Sequence, residues 1–189
     1  MKIKQSELID TLITLTESAL ASVNKFQNLT LNQLNFKENE STWSILECCE
    51  HLNLYGDFYL PEIEKQLLSH PIQSKELIFK SGILGNYFAH LMKSKNGKIK
   101  KMKSPKDKNP SNSELTFQTL DRLKKQLELL KQLLNQSRNV DLTKAKTSIS
   151  ISKLIQLRLG DTFRFFTYHI ERHIAQAKKI QKITNSTIQ

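Results

Sequence analysis

Glycine and proline are scarce in this chain, which has only five and four of them among 189 residues. Both residues interrupt helices, so their scarcity, together with abundant leucine, lysine and glutamine, favours an all-helical fold. The chain also lacks any run of about 18 apolar residues, which argues against a membrane-spanning helix. Its first twenty residues carry three acidic side chains and no apolar block, so they do not read as a secretory signal.

Cysteine is equally rare. Cys48 and Cys49 are the only two, and they are neighbours in the sequence. Neighbouring cysteines do not readily form a disulfide bond, so we expect two thiols with a packing role and a reducing, cytoplasmic environment. The length of the chain suits one domain that spans residues 1–189.

Hydrophobic spacing predicts four long helices. The predicted ranges are about 6–26, 44–68, 113–136 and 160–183. The second helix begins with a capping box, because Ser44 and Glu47 have the S-x-x-E spacing of that motif. Asp161 is a candidate cap at the start of the fourth helix.

The connections between these helices predict the architecture. About 40 residues, 73–112, separate the second helix from the third, which is far longer than a simple up-down turn needs. We therefore predict an all-α, four-helix bundle with a long crossover between helices 2 and 3. The other predictions are an irregular stretch at 28–40, a short helix at 84–93, a polar linker at 137–148 and an extended segment at 149–157.

Positive charge is concentrated in one place, the lysine-rich segment of residues 93–108. Its eight lysines against Asp107 give it +7 of the net charge of +11. Such a run could bind phosphates in a salt-dependent way. However, Ile99 and Met102 are the only apolar residues within it, and no aromatic residue is available to stack on a base. We favour a solvated loop, which could also steer an anionic substrate, over nucleic-acid binding.

Three histidines are the candidate site. His169 and His173 are four residues apart on the apolar seam of the fourth helix, so both point inward, where an imidazole needs a partner. His51 lies two turns into the second helix, beside apolar positions. If the two helices are adjacent, three imidazoles meet, and three nitrogen ligands leave positions of a divalent ion open. The alternative is a set of hydrogen-bonded core histidines.

Two better-known metal motifs are absent. The zinc-protease motif needs glutamate directly after its first histidine, where this chain has Ile170. The di-iron bundle needs Glu-x-x-His pairs, and none of the five histidines has glutamate three residues before it. His70 and His90 belong to no such pattern, and we expect ordinary surface or packing roles for both.

Two sequence blocks resemble the DinB-like family, also called the YfiT-like metal-dependent hydrolases. They read W-S-I-x-E-x-x-x-H at 43–51 and L-G-D-T-x-R-F-x-x-x-H-x-x-R-H-x-x-Q at 159–176. Their order and separation agree with that family over nearly the whole length of the chain. The proline-bearing stretch M-K-S-P at 102–105 is similar to the family's crossover.

The resemblance implies both a fold and a function. It implies a four-helix bundle and a nickel, zinc or iron ion held by His51, His169 and His173. It also implies a homodimer, because members of that family frequently form one. It further implies a small-molecule substrate, because characterised relatives include hydrolase-like enzymes and S-transferases that use low-molecular-weight thiols. Glu47, one turn before His51, is a candidate to orient that ring, although we favour its role in the capping box. Gln176, one turn after His173, is a candidate to contact a water at the metal, and the alternative is an amide in the seam of the bundle.

Overall fold

The computed structural model describes residues 1–73, 76–93, 103–111 and 113–187. In chain order, its helices and strands are β1 (Lys2–Lys4), α1 (Gln5–Phe26), α2 (Leu31–Asn35), α3 (Ile45–Ser69), β2 (Ile78–Lys80), α4 (Ile83–Met92), α5 (Phe117–Gln136), β3 (Lys146–Ile149), β4 (Ser152–Arg158) and α6 (Leu159–Thr187). Short 3-10 turns lie at Lys106–Lys108 and Ser137–Asn139.

The four long helices α1, α3, α5 and α6 form the bundle. Helix α3 packs against α5 and α6, and α1 packs against the same two helices from the other side. The leucine seam of α5 is fully buried in the shared core, at Leu120, Leu123, Leu127, Leu130 and Leu134. The predicted all-helical bundle is therefore confirmed, as is the long crossover, which runs between α3 and α5 and includes α4.

Two features of the connections differ from the sequence predictions. The stretch 28–40 was predicted to be irregular, but it contains α2. That helix begins with a capping box in which Gln33 N–H donates to Thr30 Oγ1 (3.3 Å) and Thr30 N–H donates to Gln33 Oε1 (2.9 Å). The T-x-x-Q spacing of this capping box was present in the sequence. The burial of Leu34 in the core stabilises this short helix.

The strands form two small antiparallel ribbons. In the first, β1 pairs with β2, and neither strand was predicted, because three residues carry almost no periodic signal. In the second, β3 pairs with β4, with an irregularity between Ser148 and Ile149. The extended prediction for 149–157 agrees with β4, whereas the linker prediction for 137–148 is wrong where β3 begins.

A buried ion pair ties the crossover to the start of α6. Arg164 Nη1 donates to Asp161 Oδ1 over 2.9 Å, and neither side chain is exposed. Asp161 also accepts from the Gly82 N–H over 2.7 Å and from the Ser81 hydroxyl. The Asp161 carboxylate was predicted to cap its own helix, but it instead accepts from the residues that precede α4 and pairs with Arg164. These partners compensate a buried charge that would be costly if it were unpaired.

Two predicted absences can be compared with the described residues. None of the described helices combines the length and the apolar character that a membrane span requires. Cys48 and Cys49 are free and buried. Burial, with a smaller contribution from Glu50, raises the pKa of the Cys49 thiol to about 12. Burial also raises the pKa of Cys48, so both side chains are neutral thiols at pH 7.

The close approach of α6 to β2 can be tested at Gly160. A methyl group on Gly160 would come within 2.4 Å of a ring carbon of Phe79, which is fully buried. We expect Gly160→Ala to lower the free energy of unfolding by about 1–3 kcal/mol, since overpacking forces the neighbours apart. Denaturant titration gives this value. The control is Gly82→Ala, whose methyl group would lie 3.6 Å from its nearest neighbour. A Gly160→Ala protein as stable as the wild type would contradict the packing.

Candidate metal centre

The start of α3 fixes the position of His51. The Glu47 N–H donates to Ser44 Oγ over 3.1 Å, and the Ser44 N–H donates to Glu47 Oε2 over 2.8 Å. These two bonds form the predicted capping box and satisfy donors that every helix start leaves open. Two turns further along, on the face that meets α6, lies His51.

The structure brings the three predicted histidines together. The ring centroid of His51 lies 5.0 Å from that of His169 and 4.6 Å from that of His173, and the latter two are 4.7 Å apart. Their candidate ligand atoms all lie within 4.8 Å of one another. All three side chains are buried, with 3%, 4% and 9% of their surface exposed. Two helices distant in sequence therefore present three imidazoles to one point.

Outer hydrogen bonds orient two of the rings. His51 Nδ1 lies 2.6 Å from the carbonyl oxygen of Lys108. Because a carbonyl oxygen can only accept, Nδ1 carries the proton and Nε2 keeps its lone pair. His173 Nδ1 lies 3.0 Å from Gln176 Oε1 and donates in the same way. Protein metal sites orient their histidines by bonds of this kind.

Burial keeps all three rings neutral. It lowers the pKa of His51 to about 4 and that of His173 to about 3. The pKa of His169 is also well below its ordinary value, again mainly because of burial and then because of the neighbouring histidines. Neutral imidazoles have a free lone pair at pH 7, which is the form that binds metal ions.

The third ring, that of His169, faces His51. Its Nε2 lies 3.2 Å from His51 Nε2, so the two rings can share one proton. Its Nδ1 is buried and has no hydrogen-bond partner among the described residues. Three neutral imidazole nitrogens suit zinc, nickel or iron and leave further positions of the ion open, so the residues present fit a divalent ion.

The two outer candidates have different surroundings. Gln176 contacts His173 directly, as described above. The Glu47 carboxylate instead has two partners that are not histidines. Its Oε2 accepts in the capping box, and its Oε1 pairs with Lys37 Nζ over 2.6 Å. The described partner of His51 Nδ1 is the Lys108 carbonyl, which carries no signal in the sequence because every residue has a carbonyl group.

Aromatic side chains surround the three histidines. The ring of Tyr55 lies 4.4 Å from that of His169, and the Trp43 indole lies 4.7 Å from the ring of His51. Phe165 stacks on His169 at 5.8 Å. Tyr55 is one turn after His51, so helical spacing could have identified it as a site residue. Trp43 precedes α3 and opens the W-S-I-x-E-x-x-x-H block, but that block does not indicate that the indole lies beside a histidine.

The histidines lie in the wall of a cavity of about 1120 Å³. This space is large enough for an organic ligand in addition to an ion. His70 and His90 lie outside it, and each bonds through Nδ1 to a carbonyl of its own helix four residues back. Residues 94–102 of the lysine-rich segment lie outside the described residues, but residues 103–106 line the cavity.

The role of Glu47 can be tested by comparing two substitutions. Glu47→Ala removes the capping oxygen and the partner of Lys37, so we expect a loss of about 1–2 kcal/mol in the free energy of unfolding. Glu47→Gln keeps an acceptor for the Ser44 N–H and should lose about half of that. Denaturant titration measures both. Loss of bound metal in Glu47→Gln at unchanged stability would contradict a purely structural role.

The comparison with known proteins agrees with this geometry. The family model described as the DinB superfamily matches residues 13–177, a range that contains all three histidines and most of the four long helices. No curated protein and no solved structure gives a significant match. The match covers most of the chain, and the chain therefore belongs to the DinB superfamily.

Proposed function

We propose that this protein binds a divalent metal ion, namely nickel, zinc or iron, through His51, His169 and His173. We further propose that it uses the ion to transfer a low-molecular-weight thiol to a small molecule or to hydrolyse one. The observation that carries the proposal is the set of three buried, neutral imidazoles on the wall of a cavity, two of them oriented through their second nitrogen.

The chain's own residues have separate tasks in this proposal. A bound divalent ion with open positions supplies Lewis acidity, which activates water or a thiol near neutral pH. The Lys108 carbonyl and Gln176 hold two rings in the orientation that points Nε2 inward. Trp43, Tyr55 and Phe165 restrict water around the site, which strengthens electrostatic interactions within it.

The nucleophile would come from solution and not from the protein. Both cysteines are neutral buried thiols, and neither is among the described residues that line the cavity. The described lining does include Ser41, Ser104, Ser111 and Ser150. All four hydroxyls have structural partners. Ser41 donates to Asn39 and Ser104 donates to backbone carbonyls, whereas Ser111 accepts from Trp43 and Ser150 accepts from Tyr59. Water or a thiol substrate is consequently the nucleophile that the proposal requires.

The alternative is a non-catalytic module that binds nucleic acid or a protein through the lysine-rich segment. The Lys108 carbonyl bonds to the His51 ring, and Lys103 and Lys106 line the cavity, which supports a role of these residues at the cavity. DNA binding measured across a salt series separates the two functions, because phosphate contacts give strong binding at low salt. An absence of DNA binding at low salt removes the alternative.

Three further expectations remain proposals. We propose that residues 1–189 form one domain, that the protein is a homodimer, and that it acts in the cytoplasm. The contiguous core, which extends from Leu8 to Ala177, supports the first of these. Light scattering on the purified protein measures the second.

The metal content of variants tests the proposed site directly. We expect the wild type to contain about one ion per chain by elemental analysis and His173→Ala to lose most of it, because three ligands hold the ion in an open site. His90→Ala is the matched control, since His90 is exposed and bonds only within α4. Circular dichroism confirms that each variant is folded. Equal metal in wild type and His173→Ala would refute the proposal.

Trp43 gives a second readout, because it is the only tryptophan in the chain and lies beside two of the rings. We expect nickel added to the metal-free protein to quench its fluorescence saturably. The quenching should be weak in His169→Gln and unchanged in His70→Gln. Quenching that is equal in all three proteins would place the nickel elsewhere.

A further inference from the structure

We infer that the cavity binds a small organic anion with an apolar body, and that Lys103 and Lys106, which line the cavity from the described end of the lysine-rich segment, attract its charge. Any reaction of the bound anion rests on the proposed function, whereas the binding of the anion does not require a metal ion. The sequence alone favoured a solvated loop for the segment, at most one that attracts anions from a distance. The structure gives its described part a fixed place beside the three histidines.

Hydrogen bonds hold that part of the segment on the site. The Lys108 carbonyl accepts from the His51 ring and also from the Ser104 hydroxyl, at 2.6 and 3.2 Å. Just beyond the segment, Ser111 Oγ accepts from Trp43 Nε1 over 3.2 Å. Between these bonds, the 3-10 turn Lys106–Lys108 packs against α3. These bonds hold the backbone of residues 104–111 beside the cavity, and Lys103 and Lys106 line it.

The charges that face the cavity are mostly positive. Four cationic side chains line it, two from the segment and two from α6: Lys103, Lys106, Arg172 and Lys179. Glu38 is the one carboxylate among the described lining residues. Asp107 lies beside Lys106 in the sequence, but it pairs with Lys108 over 3.5 Å. A cleft lined by one sign of charge concentrates ligands of the other sign.

The remaining walls are apolar. Tyr55, Tyr59, Phe88 and Phe165 line the cavity, and Ile149 and Leu157 come from the β3–β4 ribbon. Contact between these walls and the apolar part of a ligand is favourable, because it removes apolar surface from water. Contact with phosphate or sugar groups gives no such gain. A ligand that satisfies both kinds of wall has an oxyanion at one end, such as a carboxylate, sulfonate or phosphate, and an aromatic or aliphatic body. A polymeric polyanion would leave the apolar walls uncovered.

Two fluorescent probes of similar shape test this inference on the full-length, metal-free protein. Anilinonaphthalene sulfonate is an apolar anion, and N-phenylnaphthylamine is its uncharged counterpart. We expect the wild type to bind both and each probe to displace the other, which places them in one cavity. The double variant Lys103→Gln/Lys106→Gln should bind the anion on the order of fivefold more weakly and the neutral probe within about twofold of wild type, since partly exposed charges contribute modestly.

The matched control is Lys2→Gln/Lys80→Gln, which removes the same charge from an exposed pair on the β1–β2 ribbon. We expect both probes to bind it within about twofold of wild type. Equal loss of anion affinity in the two double variants would overturn the inference, as would a wild type that binds neither probe. Loss of DNA binding with unchanged anion binding in Lys103→Gln/Lys106→Gln would also overturn it.

Metal analysis of the same preparations separates this inference from the proposed function. If the anion preference depends on Lys103 and Lys106 but the wild type holds no metal, the anion site stands and the metal proposal fails. If metal is bound at three histidines but the probes do not distinguish the variants, the anion site alone fails.

Discussion

The packing of α3 against α6 is the contact on which the site depends. It brings His51 beside His169 and His173 in a place where little water reaches them. An imidazole in such a place is neutral and needs a partner for each nitrogen. Two of the rings satisfy Nδ1 with a carbonyl and an amide, and the facing nitrogens are left to one another or to a cation. The chemistry of the site thus follows from burial combined with incomplete hydrogen bonding.

The crossover is the second part of this arrangement. It is fixed at its beginning by the buried carboxylate of Asp161, which binds Gly82 and Ser81 before α4. At its end it is fixed by the Lys108 carbonyl on the His51 ring and by Ser111 on Trp43. Residues 103–106, which in the sequence belong to a loose, charged excursion, therefore line one side of the cavity. The same segment bonds to the His51 ring through the Lys108 carbonyl and contributes Lys103 and Lys106 to the lining of the cavity.

Much of the fold and of the candidate site could be predicted from the sequence, and particular contacts could not be predicted for physical reasons. The four-residue spacing of His169 and His173 predicts a shared inward face, and the capping box at Ser44 predicts where α3 begins. The contribution of Lys108 could not be predicted, because it comes from a backbone carbonyl. The burial of Phe79 against Gly160 depends on two strands of three residues each, too short to give a period. The turn at Thr30 and Gln33 had a visible signal that was outweighed by its polar surroundings.

X-ray absorption spectroscopy at the edge of the bound metal tests the central claim most directly, because it identifies the ligand atoms themselves. For zinc, the account predicts nitrogen neighbours at about 2.0–2.1 Å with the multiple scattering of about three imidazole rings, and a loss of that scattering in His169→Gln. A sulfur shell at about 2.3 Å, or oxygen neighbours without imidazole scattering, would contradict it.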